Sequence, residues 1–306
     1  MNHLDDIARL RGEKWRLEGM LSSLPEERVI DRLGLDERLE EVKQELEQLE
    51  AVTSLVPRAR ITFRGKPVVG THGILASFGV AALQRFENMV ALVGAALRQD
   101  SLQPTGPIPG RDEHRLLITG TAIGSFGFDL EEYQDEQQGL LEEERPIAQA
   151  LERASNVLES CRGSDDELAE AVSDLDSRTV NAVREFLELV AQEKAAFTFE
   201  YGRHLIRFPD SASVQHSAER LLQDNVHEEE IERKGTFEGY LPHSRTFEFT
   251  DAEFGLIKGK IMSSVQDVDT LNELIHRRVS VKLRRTVVGN GKPKFALLGR
   301  PDLVGE

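Results

Sequence analysis

Residues 74–99 (ILASFGVAALQRFENMVALVGAALRQ) form a long stretch, rich in alanine and valine, in which apolar residues recur at helical spacing. The apolar positions spread over a wide face, which is typical of a helix that other elements cover on several sides. We therefore predict a central buried helix around which the middle of the chain folds. The residues predicted to point inward are Phe78, Leu83, Phe86, Val90, Val93 and Leu97.

Residues 118–132 (ITGTAIGSFGFDLEE) follow that helix and alternate between apolar and mostly polar positions. Strict alternation predicts a half-buried strand, and the glycines then mark a bulge or a close approach of a neighbouring backbone. A phosphate-binding loop would instead lead directly into a helix, and Ser125 lacks the G-x-S-x-G pattern of a nucleophile. We interpret the segment as structural.

Residues 70–73 (GTHG) lie between a predicted strand and the central helix, where Thr71 is placed to cap that helix. They lack the spacing of a dinucleotide-binding or Walker motif. Because active sites assemble from residues distant in sequence, an enzyme with a site near Gly70–Gly73 and Gly124–Gly127 stays an alternative. The sequence identifies no catalytic residue and no metal-ligand set, and we predict no cofactor.

The first 55 residues have the pattern of two helices joined by a short connector that contains Pro25 and Gly34. We predict an N-terminal antiparallel, coiled-coil-like helical hairpin. Two interpretations are open: the hairpin covers the main core, or it protrudes and pairs with another protein or a second copy. The residues that would form this oligomer or partner seam are Leu35, Leu39, Val42, Leu46 and Leu49.

The remaining sequence suggests two further domains, and the fold class is α+β. Residues 56–234 are predicted to form a central α+β domain, in which residues 134–194 are largely helical and a hairpin turns near Gly202. Ser164 is predicted to cap one of these helices, with Glu167 at the capping-box position. Residues 235–306 have short strands, one small helix and the turn GNGK (289–292). That pattern favours a small β-barrel of SH3-like or OB-like type.

The C-terminal region carries a run of bases without an acid between Glu273 and Asp302. On a barrel, this run predicts a face for nucleic acid or for an acidic partner. The alternative is an internal match to the acidic helices, or lysines that protect an edge strand from aggregation. The candidate binding residues are Arg277, Arg278, Lys282, Arg284, Arg285, Lys292 and Lys294.

The overall charge limits the possible functions. The net charge of −16 repels nucleic acid and anionic membranes at long range, so a non-specific DNA-coating role is not expected. The single cysteine, Cys161, excludes an internal disulfide and a cysteine-based zinc cluster. No signal peptide is visible and we expect no membrane segment, so we predict a cytoplasmic protein.

Two stretches resemble parts of a group of uncharacterised bacterial proteins. One is ALQRFENMVALVGAAL followed by LLITGTAIGSFGFDLEE, and the other runs from GTFEGYLPHSRTFEFTD to KFALLG. The resemblance covers roughly half of the chain and implies a central helix, a Gly-Ser strand and a small C-terminal β-domain. It also implies defence-type or mobile-element gene neighbourhoods, and it transfers no catalytic residue.

These observations favour a non-catalytic binding or regulatory protein, an accessory of a bacterial defence or mobile-element system. Its helical hairpin would contact another protein or a second copy, and its barrel would offer a basic face to an acidic ligand. A nucleic-acid-binding protein that uses the same face is the first alternative. The enzyme described above is the second.

Overall fold

The computed structural model describes residues 3–24, 28–53, 58–98, 102–122, 126–133, 145–262, 265 and 268–304. Its helices are α1 (His3–Ser23), α2 (Val29–Thr53), α3 (Ala76–Arg98), α4 (Pro146–Ser160), α5 (Asp165–Val172), α6 (Ser177–Gln192) and α7 (Ser211–Arg220), with 3₁₀ helices at Arg111–His114 and Val268–Leu274. Its strands are β1 (Arg58–Gly65), β2 (Val68–Val69), β3 (Gly73–Ile74), β4 (Leu116–Ala122), β5 (Phe126–Glu132), β6 (Ala195–Tyr201), β7 (His204–Arg207), β8 (Val226–Leu241), β9 (Thr246–Asp251), β10 (Gly255–Ile261), β11 (Arg278–Val288), β12 (Lys294–Leu297) and β13 (Asp302–Leu303). The predicted α+β class is confirmed.

The chain divides by internal contacts into two units, residues 1–57 with 132–143, and residues 58–131 with 144–306. In the first unit α1 packs on α2. Leu10 and Leu17 of α1 share a buried cluster with residues of α2, which are Leu39, Val42 and Leu46. Apolar side chains of α2 are therefore buried within a single chain.

The second unit contains a five-stranded sheet with the order β4-β5-β1-β6-β7. The central strand β1 is antiparallel to β5 and β6, and Ile61 lies opposite both Phe128 and Phe199. Alternation along β1 buries Ile61 and Phe63 on one face of the sheet. The adjacent arginines, Arg60 among them, lie on the other face.

The helix α3 packs on the apolar face of this sheet, as the sequence predicts. The Phe86 ring centroid lies 5.0 Å from that of Phe199 in β6 and 5.7 Å from that of Phe186 in α6. Of the predicted inward residues, Phe78, Phe86, Val90 and Val93 are buried and Leu83 is half-buried. The prediction for Leu97 is wrong, because it lies in the last turn of α3, lines an open cleft and is 37% exposed.

The glycine-rich segment forms two strands instead of the single strand that its alternation predicts. β4 ends at Ala122, β5 begins at Phe126, and the two strands are neighbours in the sheet. Leu116, Phe128 and Leu130 all pack into the main core. Within β4, Ile118 is 54% exposed, and a Cβ on Gly120 would lie 3.7 Å from Asp129 Cβ of β5. An even-numbered residue of β4 therefore lies beside an odd-numbered residue of β5, and the alternation does not continue across the two strands.

Of three further local predictions, the helix cap at Ser164 and the hairpin near Gly202 are confirmed, and the cap at Thr71 is wrong. Ser164 caps α5, and its backbone N–H donates to Glu167 Oε2 at 2.6 Å in a capping box. β6 and β7 form the predicted hairpin, and Gly202 has a positive φ of 55° in its turn. Thr71 does not cap α3, because β3 lies between it and the helix.

β8 to β12 form a closed five-stranded barrel. The sheet order is β12-β10-β9-β8-β11-β13, and β12 also pairs with β11, which closes the barrel. β10 and β12 are parallel. Phe237, Phe249 and Val281 belong to an apolar cluster separate from the central core. Val279, Val281 and Leu283 are fully buried in the barrel.

β8 begins at Val226, well before the boundary that the sequence suggests at Gly235. It pairs with β11 as far as Val226 opposite Val288. We call residues 226–230 together with 284–288 the ribbon. Val288 belongs to the central core and Val226 packs against it, so the ribbon joins the barrel to the central domain.

Among the described residues, α3 is long and apolar enough to span a membrane by length and composition. A core helix of a soluble protein passes the same test, and 56% of the relevant window of α3 is buried inside the protein. The packing of α3 on the central sheet is consistent with a soluble protein.

Candidate binding site on the barrel

Many bases of the C-terminal run are matched by acids directly across the ladder between β8 and β11. Arg285 lies opposite Glu229 and Arg284 lies opposite Glu230. Directly opposed residues in an antiparallel pair share a face, and Arg285 Nη1 approaches Glu229 Oε2 to 3.6 Å. Lys282 lies opposite Glu232 in the same ladder but forms no ion pair with it, and Glu232 Oε1 accepts from Ser280 Oγ at 2.8 Å instead. The strand β8 therefore offsets much of the positive charge of β11.

A second set of bases meets residues 164–176 (SDDELAEAVSDLD), which we call the acidic segment. This segment comprises α5 with its flanking residues. Lys260 Nζ donates to Glu170 O at 2.8 Å and to Asp174 Oδ1 at 3.1 Å. Lys294 Nζ lies 3.1 Å from Glu170 Oε2. Arg284 Nη1 donates to Leu175 O at 3.2 Å.

The turn between β11 and β12 also binds the acidic segment. The Lys292 backbone N–H donates to Asp166 Oδ1 at 2.6 Å, and the Asn290 N–H donates to Asp165 Oδ2 at 3.4 Å. Gly289 has a positive φ of 50°, and a Cβ there would lie 2.6 Å from Asp165 Oδ2. Successive backbone amides in such a turn form a small anion-binding site, which the chain's own carboxylates occupy.

Lys260 lies at the centre of this contact, and burial changes the pKa of its ammonium group. Burial lowers the pKa of Lys260, and the Asp174 carboxylate opposes that shift. Asp174 also forms an ion pair with Arg153 of α4. This one carboxylate therefore binds Lys260 of the barrel and Arg153 of the central domain. We call Lys260, Lys294 and the turn 289–292 the inner face of the barrel. This face belongs to the exterior of the barrel and is the side that contacts the acidic segment.

The remaining bases form an exposed patch further along the barrel, where Arg278 and Lys282 lie on the same face of β11 as Arg284. Arg277, Arg278 and Lys282 are exposed, and none of them forms an ion pair within the part of the chain that the structure describes. Lys234 of β8 is also exposed and lies opposite Ser280, between Arg278 and Lys282 in the ladder. We call Lys234, Arg278 and Lys282 the outer face.

The run of bases that the sequence predicts as one binding face is therefore divided into two groups in the folded protein. Arg284 and Lys294 contact the acidic segment, and the Lys292 side chain is exposed while its backbone binds Asp166. Lys260 and Lys234 are not among the residues that the sequence predicts. The alternation of LIKGKI in β10 could have placed Lys260 outward, but its partner Asp174 lies too far away in sequence for any local pattern to reveal.

Most residues of the predicted N-terminal seam are buried between α1 and α2 of the same chain. Leu39, Val42 and Leu46 are buried against α1, and Leu35 packs against the same cluster. The Leu49 side chain lies outside the described residues. A second chain is not needed to bury the described seam residues.

Where the structure describes them, the glycines of the alternative enzyme site serve strand contact and turns. A Cβ on Gly127 would lie 2.1 Å from Ile61 O, so this glycine permits close contact between β5 and β1. Gly70 and Gly73 belong to the turn and strand beside β2. Gly124 and Ser125 lie outside the described residues.

Cys161 is fully buried, and burial raises the pKa of its thiol to about 12. A thiol in that state is a poor nucleophile. It lies beside an open cleft of about 450 Å³ between α4 and α7. There Arg220 Nη1 donates to the carbonyls of Cys161 and Gly163, both at 2.8 Å. The polar groups of this cleft therefore serve to cap the end of α4.

His114 is a buried imidazole outside the barrel. Its Nδ1 lies 2.9 Å from Gly110 O, and its Nε2 is buried with no hydrogen-bond partner among the described residues. The Nδ1–H is thus the donor. Burial lowers the pKa of His114, which keeps the ring neutral. Within the described ranges no group of three His, Cys, Asp or Glu side chains is placed to hold a metal ion.

Comparison of the chain with protein-family models, with curated proteins and with solved structures finds no match. A functional assignment therefore depends on the geometry of the chain itself.

Proposed function

We propose that this chain is a non-catalytic binding protein whose barrel holds an acidic segment of a partner protein on its outer face. The observation that carries the proposal is the exposure of Lys234, Arg278 and Lys282 together, without ion-pair partners in the described parts of the chain. Neighbouring bases that lack partners attract an acidic ligand and steer its approach.

The surroundings of the outer face favour a polypeptide over nucleic acid. Glu232 lies opposite Lys282, Asp302 of β13 lies opposite Ser280, and both acids are exposed. They limit the positive excess that a phosphate backbone would require. An acidic peptide can place its carboxylates between these charges.

The barrel topology supports nucleic-acid binding as the second candidate. The first three strands form a meander, a helix precedes the fourth, and the fifth strand is parallel to the third. We infer an OB-like barrel in preference to an SH3-like one from this order, and OB-folds bind oligonucleotides through strands 2 and 3 with adjoining loops. Here those strands carry a Lys258–Glu248 pair, and the turn 289–292 is bound by the acidic segment.

The helix pair of the first unit supplies a further surface for the proposal. We infer a coiled-coil-like hairpin from the packing of α1 on α2, with the exposed Leu33 as a point of contact with another protein. We place the protein in the cytoplasm as an accessory of a bacterial defence or mobile-element system. The first part follows from its charge and single cysteine, and the second only from the resemblance described above.

The outer face can be tested with defined probes. We expect the wild-type chain to bind a fluorescent polyglutamate peptide at low salt, and Arg278→Gln/Lys282→Gln to weaken that binding about tenfold. The loss of two ligand-pairing charges gives this scale. Fluorescence anisotropy at several salt concentrations measures it, because screening reduces such contacts.

The matched control is Lys258→Gln/Arg300→Gln, which removes the same charge from exposed barrel positions that already pair with Glu248 and Glu273. This variant should bind the peptide as the wild type does. Equal loss in both variants would reduce the effect to net charge and reject the outer face. Tighter binding of an oligothymidylate than of polyglutamate would favour the nucleic-acid candidate.

A further inference from the structure

Two bases in the cleft beside Cys161 take no part in capping α4. Arg162, His216 and Arg220 all line this cleft of about 450 Å³. Arg162 follows the end of α4, whereas His216 and Arg220 lie four residues apart on α7 and so share one side of that helix. The side chains of Arg162 and His216 are exposed, and within the described residues neither forms a hydrogen bond or an ion pair.

Arg220 is held in place at the same cleft. Its Nη1 donates to two carbonyls at the end of α4, its Nη2 donates to Asp165 Oδ1 at 2.8 Å, and its side chain is only 11% exposed. Asp165 is the acid among the residues that line the cleft, and this ion pair balances its charge. The charge of Arg162 is therefore left in excess.

The helix N-termini at this cleft are occupied by carboxylates of the chain itself. At the start of α5, Glu167 Oε2 accepts from the Ser164 N–H at 2.6 Å. At the start of α7, Asp210 Oδ1 accepts from the Ser213 N–H at 2.7 Å. A ligand in the cleft would therefore bind through the side chains of the three bases and not through free backbone amides.

These side chains have the chemistry of an oxyanion site. The Arg162 guanidinium offers a planar fork that matches two oxygens of one phosphate group, and its carbon Cζ lies 5.7 Å from the centroid of the Phe208 ring. His216 can donate from its imidazole. The Arg220 Nε–H is a further donor, without a hydrogen bond among the described residues. A phosphate group fills only part of the cleft, which leaves room for an organic group beside the exposed Pro209.

We propose that this cleft binds a small organic phosphate, whose phosphate group contacts Arg162, His216 and Arg220. The net charge of −16 repels an anion at long range, so the affinity depends on these short contacts. The site is independent of the outer face of the barrel, because the two share no residue.

The first test titrates the protein with phenyl phosphate. We expect the wild type to bind this probe and Arg162→Gln/His216→Gln to bind it about tenfold more weakly, the scale of one lost hydrogen bond to a charged group. Benzoate has the same ring but a planar carboxylate, and it should bind the wild type less tightly than phenyl phosphate does. Isothermal titration calorimetry measures all three affinities.

The matched control is Arg203→Gln/His227→Gln. It removes the same two residue types from exposed positions outside the cleft, and it should bind phenyl phosphate as the wild type does. The same weakening in this control would show that only net charge matters and would overturn the site. Undiminished binding by Arg162→Gln/His216→Gln would overturn it too, as would benzoate binding as tight as that of phenyl phosphate.

A second measurement needs no substitution in the cleft. Phenyl phosphate should shift the backbone amide NMR signals of residues 161–165 and 213–220 in the wild type, and no shift there would reject the site. Arg278→Gln/Lys282→Gln, which lacks the outer face, should show the same shifts and the same affinity. A loss of affinity in that variant would place the phosphate on the barrel and overturn the proposal, whereas failure of the outer face to bind polyglutamate would leave this result unchanged.

Discussion

The contact between Gly94 and His114 shows how one missing side chain determines local packing. A Cβ on Gly94 would lie 2.0 Å from His114 Nε2, far inside any allowed contact. His114 is 1% exposed, so its ring has no free space into which to retreat. The glycine in the middle of α3 is therefore required by packing and not by backbone conformation.

We expect Gly94→Ala to destabilise the protein by about 1–3 kcal/mol, the usual cost of overpacking. This cost exceeds the gain of roughly 1 kcal/mol that alanine brings to a helix interior. Urea unfolding measures the difference. Gly79→Ala in the same helix is the matched control, because its Cβ would meet Ile74 Cγ2 at 3.3 Å and require only a small adjustment.

His114→Ala should rescue Gly94→Ala, since it removes the ring that the new methyl group meets. The double variant would then be more stable than the sum of the two single changes predicts. Strict additivity would show that His114 is not the obstacle.

His114 also predicts a pH dependence. Its folded pKa is lowered, mainly by burial, with Arg98 adding to the shift and Glu113 opposing it. A group with a depressed folded pKa contributes stability above its unfolded value, near 6.5, and loses it as pH falls through the folded pKa. The wild type should therefore lose more stability than His114→Gln between pH 7.5 and pH 5.5. Urea unfolding at both pH values measures the loss. An equal loss of unfolding free energy in the two proteins would contradict this prediction.

At the scale of elements, the sequence predicts the helices better than the strand boundaries. The apolar face of α3, the cap at Ser164 and the turn at Gly202 are local signals, and all are confirmed. The sequence predicts one strand in place of β4 and β5 because its apolar residues alternate without a break from Ile118 to Leu130. A regular alternation in the sequence does not show where the chain reverses, and in β4 it does not match the exposure of Ile118.

The start of β8 escaped prediction for a different reason. The stretch HEEEIERK lacks the apolar alternation of a strand, because its charged side chains meet their partners on β11. The pairing joins residues more than fifty positions apart, as in Glu229 with Arg285. No local window contains both partners, so the strand becomes visible only when the two segments are placed side by side.

The ladder can be tested by exchanging one pair of charges. Arg285→Glu should destabilise the protein by roughly 0.2–1 kcal/mol, the range for a cross-strand pair, because it places like charges opposite each other. Arg285→Glu/Glu229→Arg should restore most of that loss. Thermal unfolding of the four chains of the cycle measures the coupling, and zero coupling would show that the pair contributes nothing.

At the scale of the whole molecule, charge alone did not decide where the chain could bind. A net charge of −16 coexists with a C-terminal run of bases, and folding places many of those bases against β8 and the acidic segment. The sequence analysis left an internal match open as an alternative, but it could not separate the bases that face inward from those that stay exposed. That division depends on which part of the barrel lies beside the acidic segment, as Arg284 does through Leu175 O.

The path of β8 has a consequence for any attempt to take the protein apart. A cut before Gly235, where composition changes along the chain, would leave the first part of one strand with one fragment and the remainder with the other. The C-terminal fragment would lose the partner of Val288 and expose that residue, and the N-terminal fragment would keep a strand without its neighbour. The smallest autonomous folding unit that includes the barrel must therefore also include the layers of helices into which its two longest strands extend.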